Sequence, residues 1–301
     1  MSALLRIVRA GPLATLQDSG RSGWLASGVG ASGPMDRAAF ERTGHWLGAA
    51  GATGIEFTMA GLGVEVEGGP VGVAADGGQL SAEVNGVARP WPFRTLLKPG
   101  DRLDVRPGPA GNYGYLRLDR EIDVSPVLGS RSTNTVVGLG GIDGRALVAG
   151  DSLPLGPRLS RRAGPHPAAN LPEAGPIRVI WGLHADRLSP EMRNRFVAEA
   201  FRVSQRIDRM GARLDDPAGV FKGLAMLQLV SDAIVLGDIQ ILGDGTPVVL
   251  LRDHQPTGGY PRIATIATAD FDRFVQLRPG SEVRFQPITV AAAHALLGAR
   301  P

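Results

Sequence analysis

Apolar and polar residues alternate with period two in several short runs of this chain. Gly63-Val64-Glu65-Val66-Glu67 and Arg102-Leu103-Asp104-Val105-Arg106 each put aliphatic side chains on one face and charges on the other, the pattern of a half-buried strand. Val248-Val249-Leu250-Leu251 is apolar without interruption and reads as a strand covered on both faces. Asp76-Gly77-Gly78, Asn85-Gly86 and Gly243-Asp244-Gly245 have the composition of tight hairpin turns. Helical periodicity is confined to Met35–Leu47, Pro190–Ala200 and Thr289–Leu297. Pro190-Glu191 fits a helix start, with Ser189 as the N-cap and proline at the first helical position.

The runs recur. Leu5-Arg6-Ile7-Val8 is echoed by Ile177-Arg178-Val179-Ile180, and Pro34-Met35-Asp36-Arg37 loosely by Asp208-Arg209-Met210-Gly211. Ile55-Glu56-Phe57-Thr58 matches Leu227-Gln228-Leu229-Val230. The clearest pair is Leu97-Lys98-Pro99-Gly100-Asp101-Arg102-Leu103-Asp104-Val105 against Leu277-Arg278-Pro279-Gly280-Ser281-Glu282-Val283-Arg284-Phe285. Four matches in one order, at offsets of roughly 172–180 residues, describe two related halves. The boundary falls in the proline-rich stretch Gly156–Pro176, where neither helix interior nor central strand is favoured. The expected organisation is a first half at 1–165, carrying an extra strap segment at about 106–155, and a second half at 166–301. Each half is expected to be β-barrel-like with one or two short helices, so the chain as a whole is mainly β.

Composition supports that picture. Glycine (42) and proline (23) are abundant while aromatics are few, which favours short strands joined by turns. With 43% hydrophobic and 20% charged residues, the chain can bury a core. The net charge of +3 is spread along the sequence, with arginines alternating with acids, so a nucleic-acid face is not expected. The absence of cysteine excludes disulfides, thiolate zinc sites and thiol nucleophiles. No apolar run approaches the ~20 residues of a membrane helix and the start lacks a signal-peptide core, so a cytoplasmic protein without membrane association is expected.

The candidate chemistry sits in glycine-lined polar loops. Thr15-Leu16-Gln17-Asp18-Ser19-Gly20-Arg21 runs on to Ser32-Gly33-Pro34-Met35-Asp36; polar residues among glycines shape a loop whose backbone N–H groups can approach a ligand. Asp18 and Arg21 either pin this turn or hold a ligand between them. Gly129-Ser130-Arg131-Ser132-Thr133 flanks a guanidinium with hydroxyls, suited to a carboxylate or phosphate or to tying down an acidic loop. Asp208-Arg209-Met210-Gly211-Ala212-Arg213-Leu214 and Asp253-His254-Gln255-Pro256-Thr257-Gly258-Gly259-Tyr260-Pro261 have the same character near the other end, and the loops together suggest one composite cleft for an anionic or amide-bearing small molecule. No P-loop ending, G-x-S-x-G elbow or biotin-attachment motif is present. His45, His166, His184, His254 and His294 show no ligand spacing, so no metal site is expected.

At these motifs the chain resembles the allophanate hydrolase subunit 2, or biotin-dependent carboxyltransferase-like, family. That family includes the C subunit of bacterial ATP-dependent 5-oxoprolinase, an antagonist of a sporulation-kinase inhibitor, and the carboxyltransferase region of urea carboxylase. The resemblance implies a pair of cyclophilin-like β-barrels, a smaller first subunit and a third lactam-hydrolase subunit as partners, and ATP-driven opening of 5-oxoproline. It further implies Asp18, Arg131, Arg209 and Asp253 as catalytic groups. Gln17, Arg21, Ser32, Met35, Asp36, Ser132, Asp208, Met210, Arg213, Gln255, Thr257, Gly258, Gly259 and Tyr260 would bind the substrate. Biotin would enter only if the chain is the carboxyltransferase of a urea-carboxylase-like system; a non-catalytic regulatory partner is the third alternative. The chain departs from the family pattern at Gly44-His45, Arg120-Glu121, Asp232, His254 and Pro256.

Overall fold

The computed structural model describes residues 3–48, 50–159, 175–224 and 229–298. They belong to two compact units, Met1–Gly23 with Ala31–Asn170 and Trp24–Gly30 with Leu171–Pro301. The first unit holds a seven-stranded sheet in the spatial order Arg120–Ile122, Ser152–Arg158, Ala3–Ala10, Leu62–Glu67, Arg102–Ala110, Gln79–Val84, Val87–Arg89. A five-stranded sheet runs Thr15–Gln17, Gly54–Thr58, Tyr113–Leu118, Val71–Asp76, Phe93–Leu97. Aliphatic side chains of both sheets, among them Leu5, Ile7, Val64, Leu103, Ile55, Val73 and Leu116, form one core.

The two alternating runs are neighbouring strands of the seven-stranded sheet, Val64 lying opposite Leu103. Asn85-Gly86 closes the predicted hairpin between Val84 and Val87, both residues at positive φ. Asp76-Gly77-Gly78 does not close one. It passes the chain from the five-stranded sheet to the seven-stranded sheet, and a Cβ on Gly77 would meet the Tyr113 carbonyl at 2.7 Å, a corner too tight for a side chain. The segment at 106–155 is largely part of the body of this unit. Tyr113–Leu118 is central in the five-stranded sheet and buried along its length, and 123–151 is a turn-rich stretch with isolated bridges such as Val127–Ser130.

In the second unit an eight-stranded sheet runs Glu282–Val283, Phe201–Ile207, Gly211–Asp215, Pro247–Leu250, Asp238–Ile241, Arg262–Ile266, Ile177–Trp181, Phe285–Pro287. Its two edge strands are separated in sequence by Arg284 alone, so the sheet curls into a nearly closed barrel. The continuous apolar run forms an interior strand of it, between Gly211–Asp215 and Asp238–Ile241. Aromatic rings fill the core: Phe196 stacks on Phe285 at 5.0 Å and packs near Phe201 and Phe221.

Helix α1 spans Arg37–Leu47, two residues shorter than the periodicity predicts, because Asp36 is its N-cap and accepts the Ala39 N–H. Helix α2 is Pro190–Ala198, capped by Ser189 as predicted and ended before the buried Phe201 enters its strand. Helix α3, Thr268–Val275, was not expected from the sequence, and α4, Val290–Gly298, was.

The Pro-Gly repeat is the clearest internal likeness in three dimensions. Gly100 N donates to Val66 O (2.8 Å), Asp101 N to Lys98 O (2.9 Å) and Val66 N to Asp101 O (3.1 Å). Gly280 N donates to Val203 O (2.7 Å), Ser281 N to Arg278 O (2.9 Å) and Val203 N to Ser281 O (3.0 Å). The bonding is the same in both. The loose echo between Pro34–Arg37 and Asp208–Gly211 has no such basis, since the first caps a helix and the second turns between two strands. The match at Leu227–Val230 lies partly outside the described residues.

Candidate functional site

In the first unit the fully buried strand Thr15–Gln17 delivers the chain to Asp18. Four donors converge on this carboxylate. Oδ1 accepts from Ser130 Oγ (2.5 Å), Ser132 Oγ (2.7 Å) and the Gly20 N–H (2.9 Å), and Oδ2 from the Arg131 N–H (2.6 Å). Burial acts to raise the Asp18 pKa, but the bonds from Ser130, Ser132, Arg131 and Gly20 outweigh it and hold the group below its ordinary value. No side-chain cation touches it among the described residues. Gly20, at φ 88°, is required here: a Cβ would lie 2.6 Å from the Ala31 carbonyl oxygen.

Around Asp18 the loops are bonded to one another. Arg21, nearly fully buried, donates through Nη1 to Ser32 Oγ (3.2 Å) and through Nη2 to the Ser132 carbonyl. Gln17 donates to the Thr133 carbonyl (3.0 Å) and accepts from the Gly33 N–H (3.1 Å). The next motif is held from below by two strand residues. Glu56 Oε2 accepts from the Met35 N–H (2.7 Å) and the Tyr115 hydroxyl (2.9 Å), while the Asp36 N–H donates to Tyr115 Oη (2.7 Å). Burial, then the nearby Glu56 and Asp36 carboxylates, push the Tyr115 phenol well above its usual pKa, so it stays a neutral link. Arg131 is half-buried and its Nε donates to the Val124 carbonyl (2.7 Å).

In the second unit Arg209 and Asp253 form a buried ion pair, Nε to Oδ2 at 2.8 Å, with both side chains almost wholly excluded from water. Backbone bonds bind the same two loops: Asp253 N donates to Arg209 O and Leu251 N to Met210 O, each at 2.8 Å. Asp208 Oδ1 accepts the Met210 and Gly211 N–H groups and fixes the turn that presents Arg209. Farther along, Thr257-Gly258 pairs with Asp232-Ala233 in a two-stranded sheet, and Arg262 secures it by donating to the Ala233 carbonyl and the Asp232 carboxylate. Gln255 and Thr257 are exposed, and Tyr260 shows 39% of its surface to solvent.

The family model described as carboxyltransferase domain, subdomain A and B, matches residues 27–287. This chain is a member of the carboxyltransferase domain family. It is 34% identical to the C subunit of 5-oxoprolinase from Escherichia coli over 94% of this chain and 90% of that protein. It is 30% identical to urea amidolyase of Lachancea kluyveri over 96% of this chain, which spans only 17% of that relative. Among solved structures, the urea amidolyase of K. lactis superposes with a TM-score of 0.87 at 28% identity, covering 97% of this chain and 19% of that one. The mainly β, barrel-like fold expected from the sequence is the fold of this carboxyltransferase domain.

The sequence-predicted residues fall into groups. Gln17, Asp18, Arg21, Ser32, Met35, Asp36, Arg131 and Ser132 join one hydrogen-bonded cluster with its supports in the first unit. Met35 is there through its amide; its side chain is fully buried. Asp208, Arg209, Met210 and Asp253 join in the second unit, with Gln255, Thr257, Gly258, Gly259 and Tyr260 in the loop that follows. Arg213 points elsewhere, into a separate cleft beside Arg202 and Arg206.

Sequence reasoning missed Glu56, Tyr115 and Arg117. Arg117 lies 4.0 Å over the Phe40 ring and donates to the Phe40 and Gly51 carbonyls; burial lowers its pKa to about 10. Several departures from the family pattern have local partners. Glu121 accepts the Ala52 and Thr53 N–H groups, Asp232 pairs with Arg262 at 2.8 Å, and His254 Nδ1 lies 2.6 Å from the Gln255 carbonyl. Gly44 leaves room for the Arg117 guanidinium, which a Cβ would approach to 3.1 Å.

Proposed function

We propose that this chain is a subunit of an ATP-dependent 5-oxoprolinase, a complex that opens the lactam of 5-oxoproline to glutamate in the cytoplasm. The observation carrying the reading is the 34% identity to the 5-oxoprolinase C subunit of E. coli, sustained over nine-tenths of both chains. Its partners are a smaller subunit and a lactam-hydrolase subunit. Opening a lactam needs a donor for the oxygen that gains charge on carbonyl attack and a group to hold the ring N–H. On the first unit the partly exposed Arg131 guanidinium is the donor, held by its amide to Asp18. Asp18, Arg209 and Asp253 act as positioning groups, because their bonding capacity is directed into the loops.

ATP supplies the free energy for ring opening in this reading. The two motif clusters do not fit its phosphates: the Arg21 guanidinium is turned to Ser32 and the Ser132 carbonyl, Arg209 to Asp253, and neither loop carries a lysine. Carboxyl transfer from a biotin carried by another protein is the second reading, favoured by the superposition on K. lactis urea amidolyase.

The test is ATP turnover by the purified chain mixed with its partner subunits, with and without 5-oxoproline. Glutamate release coupled to ATP loss, dependent on this chain and reduced roughly 100- to 1,000-fold by Arg131→Ala, about the loss seen on removing an oxyanion donor, is the expected result. An assembled complex that leaves 5-oxoproline intact overturns the reading. Carboxylation of urea by the chain with a biotin carrier would put the second in its place.

A further inference from the structure

A cleft of roughly 520 Å³ lies on the second unit, away from the Arg209–Asp253 pair, with Arg202, Arg206, Arg213 and Lys222 in its lining. Arg202 and Arg206 come from the strand Phe201–Ile207 and Arg213 from the antiparallel strand Gly211–Asp215. The ladder between them is irregular. Val203 faces Leu214 and Ile207 faces Ala212, so Ser204, Gln205 and Arg206 lie against the single residue Arg213. This is a bulge, a device that re-aims side chains. It breaks the alternation, with Val203 and Ser204 both buried and Gln205 and Arg206 both exposed, and brings Arg206 to the same cleft as Arg202 and Arg213.

Many guanidinium groups of the chain are held in ion pairs, such as Arg178 with Asp270, Arg145 with Asp151, Arg42 with Asp76 and Arg262 with Asp232. The side chains of Arg202, Arg206, Arg213 and Lys222 make no hydrogen bond or ion pair among the described residues. The cleft also holds the carboxylates of Asp215, Asp216 and Asp244, one fewer than its cations. Asp216 Oδ2 accepts the Phe221 N–H (3.0 Å), and Asp244 Oδ1 accepts the Thr246 N–H (2.9 Å). The cations outnumber the carboxylates, and none of them is held in an ion pair among the described residues, so they are available to a bound anion.

We infer that this cleft binds the phosphate groups of a small molecule bearing a di- or triphosphate. Three guanidinium forks match phosphate oxygens in pairs and Lys222 adds a point charge. The volume is within the range of small-molecule sites, and four separate cations exceed what one phosphate group would engage. The cleft shares Arg213 and Leu214 with the motif at Asp208–Leu214, while Asp208, Arg209 and Asp253 are not in its lining. A polyphosphate chain alone and a nucleotide share the recognised chemistry, so the test must separate them.

Isothermal titration of the full chain with inorganic tripolyphosphate, ATP, orthophosphate and citrate decides the matter. Tripolyphosphate and ATP should both bind, orthophosphate and citrate more weakly. Arg202→Gln/Arg206→Gln should weaken the first two by at least about tenfold, as loss of charge-assisted bonds implies, with an unchanged circular dichroism spectrum because both side chains are exposed. Asp244→Asn, which removes a carboxylate from the lining, should tighten them about two- to threefold. Tighter ATP than tripolyphosphate would add a nucleoside contact to the phosphate site. Binding of ATP without tripolyphosphate, equal binding of citrate, no binding, or full affinity in the double variant would each overturn the assignment. None of these readouts depends on lactam hydrolysis.

Discussion

The two motif clusters solve one problem in opposite ways. Each keeps a carboxylate out of water, but Asp18 in the first unit is neutralised by hydroxyl and amide dipoles, whereas Asp253 in the second faces a guanidinium. Dipoles stabilise a charge in small, separable portions, each close to the value of one charge-assisted bond. A buried ion pair is a single interaction whose halves depend on each other, because either alone is a desolvated, unpaired charge. The first cluster should therefore weaken gradually under substitution and the second abruptly.

The largest expected effect follows directly. Asp253→Ala leaves Arg209 buried without its carboxylate and should cost about 3–5 kcal/mol, read as a fall in the urea midpoint of the second unit. Replacing both partners, Arg209→Met with Asp253→Leu, should recover much of that loss. If the double variant is as unstable as the single, the pair is not the interdependent unit described.

Asp18→Asn comes next, at about 2–3 kcal/mol, since an amide N–H₂ must now face donors on one side or the other. Its sharper signature is in pH. The folded-state pKa of Asp18 lies below the ordinary value of 3.8, so its contribution is complete above that value and lost as pH falls through the folded pKa. The variant should show a shallower loss of stability below about pH 4 than the native chain. An identical acid limb would mean that the Asp18 charge is not selectively stabilised.

The smallest effect should come from one hydroxyl. Ser130→Ala removes one of four donors to Asp18 and should cost about 1 kcal/mol, measured by hydrogen exchange at the Arg131 and Gly20 amides. A loss as large as that of Asp253→Ala would break the contrast between the clusters.

Much of this was legible in the sequence for local reasons. Asn85-Gly86 closes its hairpin because both residues accept positive φ, and the Pro-Gly echo survives as identical bonding because it is a turn fixed by its own backbone. The polar loops were visible because glycines mark them. Other features depend on distant residues. Glu56 reads as the solvent face of an alternating strand, yet it is buried beneath the Met35 amide and the Tyr115 hydroxyl, which lie 21 and 59 residues away. Helix α3 carries no side-chain cap to announce it; its buried Asp270 is held by Arg178 on another strand. Asp76-Gly77-Gly78 shows the converse, a good turn signal whose two strands belong to different sheets.

The eight-stranded sheet of the second unit ends at both edges within one short stretch, Glu282–Val283 on one side and Phe285–Pro287 on the other. An incoming polypeptide that extends a sheet needs a run of unsatisfied backbone donors and acceptors along an edge. Here each edge is only two or three residues long, and one of them ends in a proline without an N–H. The seam that closes the barrel thus guards it against strand-by-strand aggregation. It also directs recruitment of any other protein by this sheet to side chains and loops, whose shape and charge can discriminate between partners where a bare strand edge would accept many.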